Sequence, residues 1–274
     1  PMVAKPTRIF SCGQWTAGED WRAQLAHDAS DYTLLWTTRG QGRILLNGAQ
    51  AGLGTHNAIA IPPNEVFAFD PGRQGIGFVA LVAADHGFAL PEKPRHLRLR
   101  ETGAISEMTV LFETAMREFS TGRPLAQSAL DAHMTLVSVW WQRQIALPDH
   151  LPAAPNAAAR LAQRLTSLMA QPENLGLNVA DYATRLSVTP THLSRACKAS
   201  TGRTAAELIA EYNLHSARHA RTETDASVQD IARHLGFGSA AYFNRFVQTK
   251  TGQTPTHLRK TAAKAARSAL SPRA

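Results

Sequence analysis

Two stretches of the chain repeat each other: DYATRLSVTPTHLSRACKASTG at residues 181–202 and DIARHLGFGSAAYFNRFVQTKTG at 230–252. Asp181, Ala183 and Leu186 match Asp230, Ala232 and Leu235 at an offset of 49. Leu193, Arg195 and Gly202 match Phe243, Arg245 and Gly252 at an offset of 50. The second copy therefore has one extra residue between its two apolar-periodic segments. Each copy reads as a helix, a tight turn and a second helix. In the second copy Gly236 and Gly238 are expected to admit the turn by taking positive φ. Val188 and Phe237 are expected to plug the space between the helices. Thr189 and Ser239 suit N-caps, and Pro190 suits a first helical turn.

The second helix of each copy divides into two faces. Leu193 and Cys197, then Tyr242, Phe243, Phe246 and Val247, form the expected buried face. The other face carries Thr191, His192, Ser194, Arg195 and Lys198 in the first copy. In the second it carries Ser239, Ala241, Asn244, Arg245 and Gln248, with Lys250 a little beyond. An α-helix fits the DNA major groove; Arg can bond guanine bidentately and Asn adenine. Lys198, Thr204, Lys250 and Thr254 suit phosphate oxygens. His192 suits a cap or phosphate contact as well as a base. The intervening TAAELIAEYNLHSARHAR (204–221) reads as one long helix that fixes the spacing of the two units. Double-stranded DNA is the expected partner.

The charge distribution agrees. Residues 1–155 carry 13 Lys and Arg against 14 Asp and Glu, whereas residues 156–274 carry 16 against 7. The net charge of +8 thus sits entirely in the repeat-bearing half, which suits a polyanion binder.

IARHLGFGSAAYFNRFVQTKTGQTPTHLR (231–259) resembles the signature of AraC/XylS transcription regulators. Ile231, Ala232, Gly236, Phe237, Ser239, Tyr242, Phe243, Arg245, Gly252, Pro255 and Arg259 carry the resemblance. Val247, Gln248 and Leu258 depart from it. The resemblance covers about 100 C-terminal residues. It implies an all-helical DNA-binding domain behind a cupin-like sensor and dimerisation domain. It also implies a small-molecule effector in the barrel mouth, homodimerisation, and activation by meeting RNA polymerase.

The N-terminal half fits that expectation on its own terms. Residues 7–83 hold short β-rich runs separated by Gly, Asn and Pro, with Asn47-Gly48 suited to a two-residue hairpin. Strands without intervening helices mean a sandwich or small barrel. Residues 102–147 change to a helical period, broken at Gly122 and Pro124, and the second helix ends in Trp140-Trp141. ALPDHLPAAPNAAA (146–159) reads as a linker. The expected fold is a multidomain one: an all-β cupin-like barrel or jelly roll with two helices, then an all-α domain. Its units are residues 1–147, a linker at 148–158, and 159–274.

Trp15, Trp21, Arg22, His27, Tyr32, Trp36, Arg43 and Phe78 are the candidate effector contacts. Arg22 or Arg43 could pair a carboxylate or a phosphate bidentately, and an aromatic acid and a sugar are both compatible with this set. Tyr32 and Trp36 have the same strand parity and so face the same side. His27 and His56 are isolated, so no catalytic metal is expected, and no cofactor motif or nucleophile constellation is present. An enzyme is therefore not expected. A cupin-fold enzyme fused to a DNA-binding domain, and a DNA-binding protein without an effector, remain as alternative readings. No apolar run approaches the ~18 residues of a membrane span, and no export signal opens the sequence. With Cys12 and Cys197 too far apart in sequence for a disulfide framework, a cytoplasmic protein with two free thiols is expected.

Overall fold

The computed structural model describes residues 6–85 and 87–261. The N-terminal region begins with strand β1 (Arg8–Ser11) and two short helices, α1 (Cys12–Thr16) and α2 (Trp21–Gln24). Strands β2 (Tyr32–Arg39), β3 (Gly42–Leu46), β4 (Ala49–Leu53), β5 (Asn57–Ile61), β6 (Phe67–Asp70), β7 (Ile76–Val82) and β8 (Arg95–Arg98) follow. They form an antiparallel five-stranded sheet, β1-β7-β2-β5-β8, and a three-stranded sheet, β4-β3-β6. β8, α1 and α2 were not expected from the sequence. Between β2 and β3 the chain crosses from the larger sheet to the smaller.

Both faces of the larger sheet are covered. Leu35, Ile59, Ile61 and Val79 face Ile44, Phe67 and Phe69 of the smaller sheet and fill the space between them. Tyr32, Leu34, Trp36, Ala58, Ala60 and Val82 point the other way. They pack under a helical hairpin of α3 (Thr102–Thr121) and α4 (Ala126–Ile145). Trp36, Trp140 and Trp141 are fully buried in this layer. At about 25 cal/mol per Å² and about 200 Å² each, they contribute several kcal/mol apiece. Trp140 Nε1 donates to the Ala104 carbonyl at 3.1 Å, so its polar atom is satisfied.

Beyond a 3₁₀ turn at Pro148–His150, α5 (Ala157–Met169) starts the helical half, capped by the Asn156 side chain. α6 (Val179–Arg185), α7 (Pro190–Thr201), α8 (Ala205–Glu223), α9 (Val228–His234) and α10 (Ala240–Thr251) follow, and residues 255–261 are helical as well. Arg221 of α8 is buried and holds this end together. It donates to the Pro255 and Ala226 carbonyls, while Arg259 donates to the carbonyls of Arg221, Thr224 and Ala226.

The two halves touch extensively. The Asn47-Gly48 turn joins β3 to β4 with both residues at positive φ (57° and 69°), as a type I′ hairpin requires. Its tip rests on the helical half: Gln163 donates to Asn47 Oδ1 at 2.6 Å, and Ser200 Oγ donates to the Gly48 carbonyl. A Cβ on Gly48 would lie 2.2 Å from the Gln163 nitrogen.

Gly236 carries the second turn. Its φ is +71°, and a Cβ there would meet the Leu175 carbonyl oxygen at 2.6 Å and Gly176 Cα at 2.7 Å. Gly238 is not among the residues at positive φ, so only one of the two expected glycines is conformationally required. Gly236→Ala should therefore lower stability by about 1–2 kcal/mol. Urea unfolding of the full chain measures it, and an unshifted midpoint would contradict the strained-turn account.

Candidate nucleic-acid interface

The repeat is preserved down to single hydrogen bonds. In the first copy Ser187 takes φ 57° and Val188 N–H donates to the Ala183 carbonyl at 3.0 Å. In the second, Gly236 takes φ 71° and Phe237 N–H donates to the Ala232 carbonyl at 2.8 Å. Thr189 Oγ1 accepts from His192 N–H, and Ser239 Oγ from Tyr242 N–H, both at 3.1 Å. α7 and α10 both end in a glycine at φ 72°, Gly202 and Gly252. Thr201 and Thr251 each fold a hydroxyl back onto the preceding turn at 2.8 Å. Nearly the same physics operates twice, at an offset of 49 before the turn and 50 after it.

α7 buries Leu193, Ala196 and Cys197; α10 buries Phe243 and Val247. Phe237 is half-buried and packs against Phe243 and Phe246, with ring centroids 5.2 Å away in each case. Tyr242, expected on the buried side, is 60% exposed. It is equivalent to His192, which is also exposed, so its ring lies beside the outward face.

That outward face collects most of the predicted contacts. Thr191, Ser194, Arg195 and Lys198 line one shallow groove with Pro190 and Thr204. Ala241, Asn244, Arg245 and Gln248 occupy the equivalent positions on α10, all exposed, with Lys250 exposed further along. Ser239 lies at the N-terminus of α10 and is exposed. Lys198 pairs loosely with Glu207 at 3.7 Å. Among the described residues, Arg195 and Arg245 have no ion-pair partner in reach. α8, 19 residues and about 28 Å long at 1.5 Å per residue, runs between the two units.

The effector candidates divide differently. Trp15, Trp21, Arg22 and His27 line a cleft between the β-domain and α8 and α9. Tyr32, Trp36 and Phe78 do not. They belong to the layer beneath α3 and α4, where Tyr32 donates to the Pro91 carbonyl and Trp36 to Thr109 Oγ1. Arg43 is exposed on the smaller sheet and pairs with Asp70 at 3.7 Å. The reason is that side chains fill the space between the two sheets, and the open space lies at the domain junction instead.

The cleft also contains residues that were not foreseen. His27, from the β-domain, stacks on His215 of α8 with centroids 4.1 Å apart and an interplanar angle of 12°. His219, one turn on, lies parallel to His215 at 6.1 Å. His27 Nδ1–H donates to the Leu25 carbonyl (2.7 Å) and His215 Nε2–H to the Arg22 carbonyl (3.2 Å). Burial pushes the His27 imidazole down to about 4 and His215 well below the usual histidine value. Both are thus neutral at pH 7. The rings are stacked rather than converging on a point, and no group among the described residues is placed to hold a metal ion. Tyr212 Oη donates to Asp28 at 2.8 Å, crossing the same junction. Tyr212, His215 and His219 share one face of α8 at i, i+3 and i+7, and that periodicity was available in the sequence.

Comparison with known proteins places the helical half. A helix-turn-helix domain family matches residues 182–261. The bifunctional transcriptional activator/DNA repair enzyme AdaA of Bacillus subtilis is 35% identical over 71 residues, 26% of this chain. The match spans only about a third (34%) of that relative's length. ToxT from Vibrio cholerae aligns over 93% of this chain and 98% of its own, at 11% identity and a TM-score of 0.38. An AraC-type transcriptional regulator from Chromobacterium violaceum aligns over 40% of this chain and 98% of its own, at 26% identity and a TM-score of 0.34. Residues 182–261 are a helix-turn-helix domain of the AraC type, in a chain whose N-terminal region is strand-rich.

Proposed function

We propose that the chain is a sequence-specific DNA-binding transcription regulator, an activator whose N-terminal domain senses a small molecule. The observation that carries this reading is the equivalence of α7 and α10. Two helices, held by the same turn and the same caps, turn Arg195 and Arg245 outward from one basic domain. A domain that reads the major groove with two helices requires that arrangement. A solvated basic surface does not require two copies in register.

The finer parts follow from the same layout. α3 and α4 leave Val110, Leu136 and Val139 exposed on the side away from the sheet, which supports a homodimer through this hairpin. A dimer would place four reading helices on paired half-sites. Contact with RNA polymerase from such a site, in the cytoplasm, completes the activator reading. Effector binding would then act by shifting the population of domain arrangements able to reach both half-sites.

Selection from a pool of randomised duplexes with the full chain tests the proposal. The expected product is a bipartite motif with its halves one helical turn apart. Recovery of duplexes no different from the starting pool would overturn it.

A further inference from the structure

The two helix-turn-helix units have separate cores. Leu161, Leu165, Tyr182, Leu186 and Leu193 fill the first; Ile231, Leu235, Phe243 and Val247 fill the second. α8 belongs to both, with Leu208 and Tyr212 in the first core and Ala217 in the second. Among the described residues no hydrogen bond or ion pair joins residues 157–203 to residues 227–261. A groove of about 400 Å³ stays open between the units, with Leu177 and Val179 on one side and Phe237 and Phe246 on the other.

Beside that groove the units meet backbone to backbone, through Gly176 in the loop before α6 and Gly236 in the turn before α10. A Cβ on Gly176 would lie 2.6 Å from the Gly236 carbonyl oxygen and 2.7 Å from its Cα. A Cβ on Gly236 would lie 2.6 Å from the Leu175 carbonyl oxygen and 2.7 Å from Gly176 Cα. Ordinary contact is about 3.5 Å, so neither position has room for a side chain. Positive φ is not the whole reason for glycine at 236. Ser187 makes the equivalent turn of the first unit at φ 57° with a side chain present. The bare backbone at 236 answers the approach of Leu175 and Gly176.

We propose that Gly176 and Gly236 are positioning residues: their contact is a steric stop that sets the phase of α10 relative to α7, and so the spacing between the two halves of the DNA site. The inference rests on the reading of α7 and α10 as readers of one duplex. α8 ties the units together along one element, and a single tie leaves rotation about it. The glycine contact is a second tie and removes that freedom. Each base pair added between the halves moves one of them by about 3.4 Å and turns it by about 35°. Two linked modules gain from each other only where the geometry lets both engage, so a reader held at two places accepts one spacing.

The test titrates the full chain against duplexes built from the selected motif, with its halves as selected, one base pair closer, or one base pair further apart. The parent should prefer one spacing by about tenfold or more. Gly176→Asn keeps the backbone conformation accessible, because Asn tolerates positive φ, but puts a Cβ against Gly236. It should lose the preference or move it to another spacing, and still bind duplexes carrying either half alone as the parent does. Gly122→Asn, at φ 57° with nothing within 4 Å of its Cβ, controls for backbone strain and should keep the parent's profile. The stop is overturned if the parent binds all spacings alike, if Gly176→Asn keeps the parent's profile, or if Gly122→Asn alters it equally. Should Gly176→Asn lose the half read by α10 altogether, that unit has unfolded and the parent's profile decides. Selective binding without a spacing preference overturns the stop alone, whereas no selective binding to any duplex overturns the regulator reading with it.

Discussion

Replacing Arg195 and Arg245 together by alanine should abolish discrimination of the selected duplex while leaving the fold intact. Each arginine that reads a base is worth about 1–3 kcal/mol, a factor of roughly ten to more than a hundred. The two lie on separate helices and share no partner, so their effects should add. Both are exposed, without an ion-pair partner among the described residues. Their loss should move the unfolding midpoint by no more than about 0.5 kcal/mol. Salt dependence separates the two possible roles. Removing an arginine that reads a base lowers affinity for the specific duplex and spares non-specific binding. Removing one that neutralises a phosphate weakens both and reduces the salt slope by about one per residue. Unchanged affinity of the double variant in a duplex titration would remove α7 and α10 as readers.

The part of the molecule most legible in its sequence is the part built from short-range rules. Ser, Thr and Gly at fixed offsets determine the caps and turns of α6–α7 and α9–α10, and an internal repeat doubles the signal. Asn47-Gly48 is legible for the same reason, since two positive φ angles admit few residues. β8 was missed because RHLR has neither β-branched residues nor alternation. It becomes a strand only by pairing with β5, a tertiary cause. Parity placed Tyr32 and Trp36 on one side of β2 correctly, but parity cannot say which side faces a ligand. α3 and α4 claimed that side. Tyr242 was misplaced because two adjacent aromatics compete for one buried position; Phe243 takes it, fully buried, and the exposed equivalent in the first copy, His192, was the available clue. The cleft itself depends on how the halves meet, which no local pattern encodes.

That junction should be acid-labile. His27 is buried against His215, and burial holds its imidazole near 4 instead of about 6.5. Between those values the unfolded chain binds more protons than the folded one, so stability is complete above about pH 6.5 and is lost as the pH falls toward 4. For His27 alone the loss at pH 5 is about 2 kcal/mol. His215, shifted the same way, adds to it, as does His96 in the β-domain. The surroundings mostly reinforce the sign. Arg22, Arg218 and His219 crowd the pair with cations or groups that become cations, and Glu19 is the carboxylate opposing them. Asp28 acts in the other direction: burial raises its carboxyl, so the folded chain takes up that proton first. Urea unfolding at pH 7 and pH 5 should therefore show a midpoint that falls with acid. His27→Gln should flatten the dependence by about its own 2 kcal/mol share, while His96→Gln removes a separate share without touching the interdomain stack. A pH-independent midpoint, or a His27→Gln slope equal to that of the parent, would show that these imidazoles do not couple the two domains to protons.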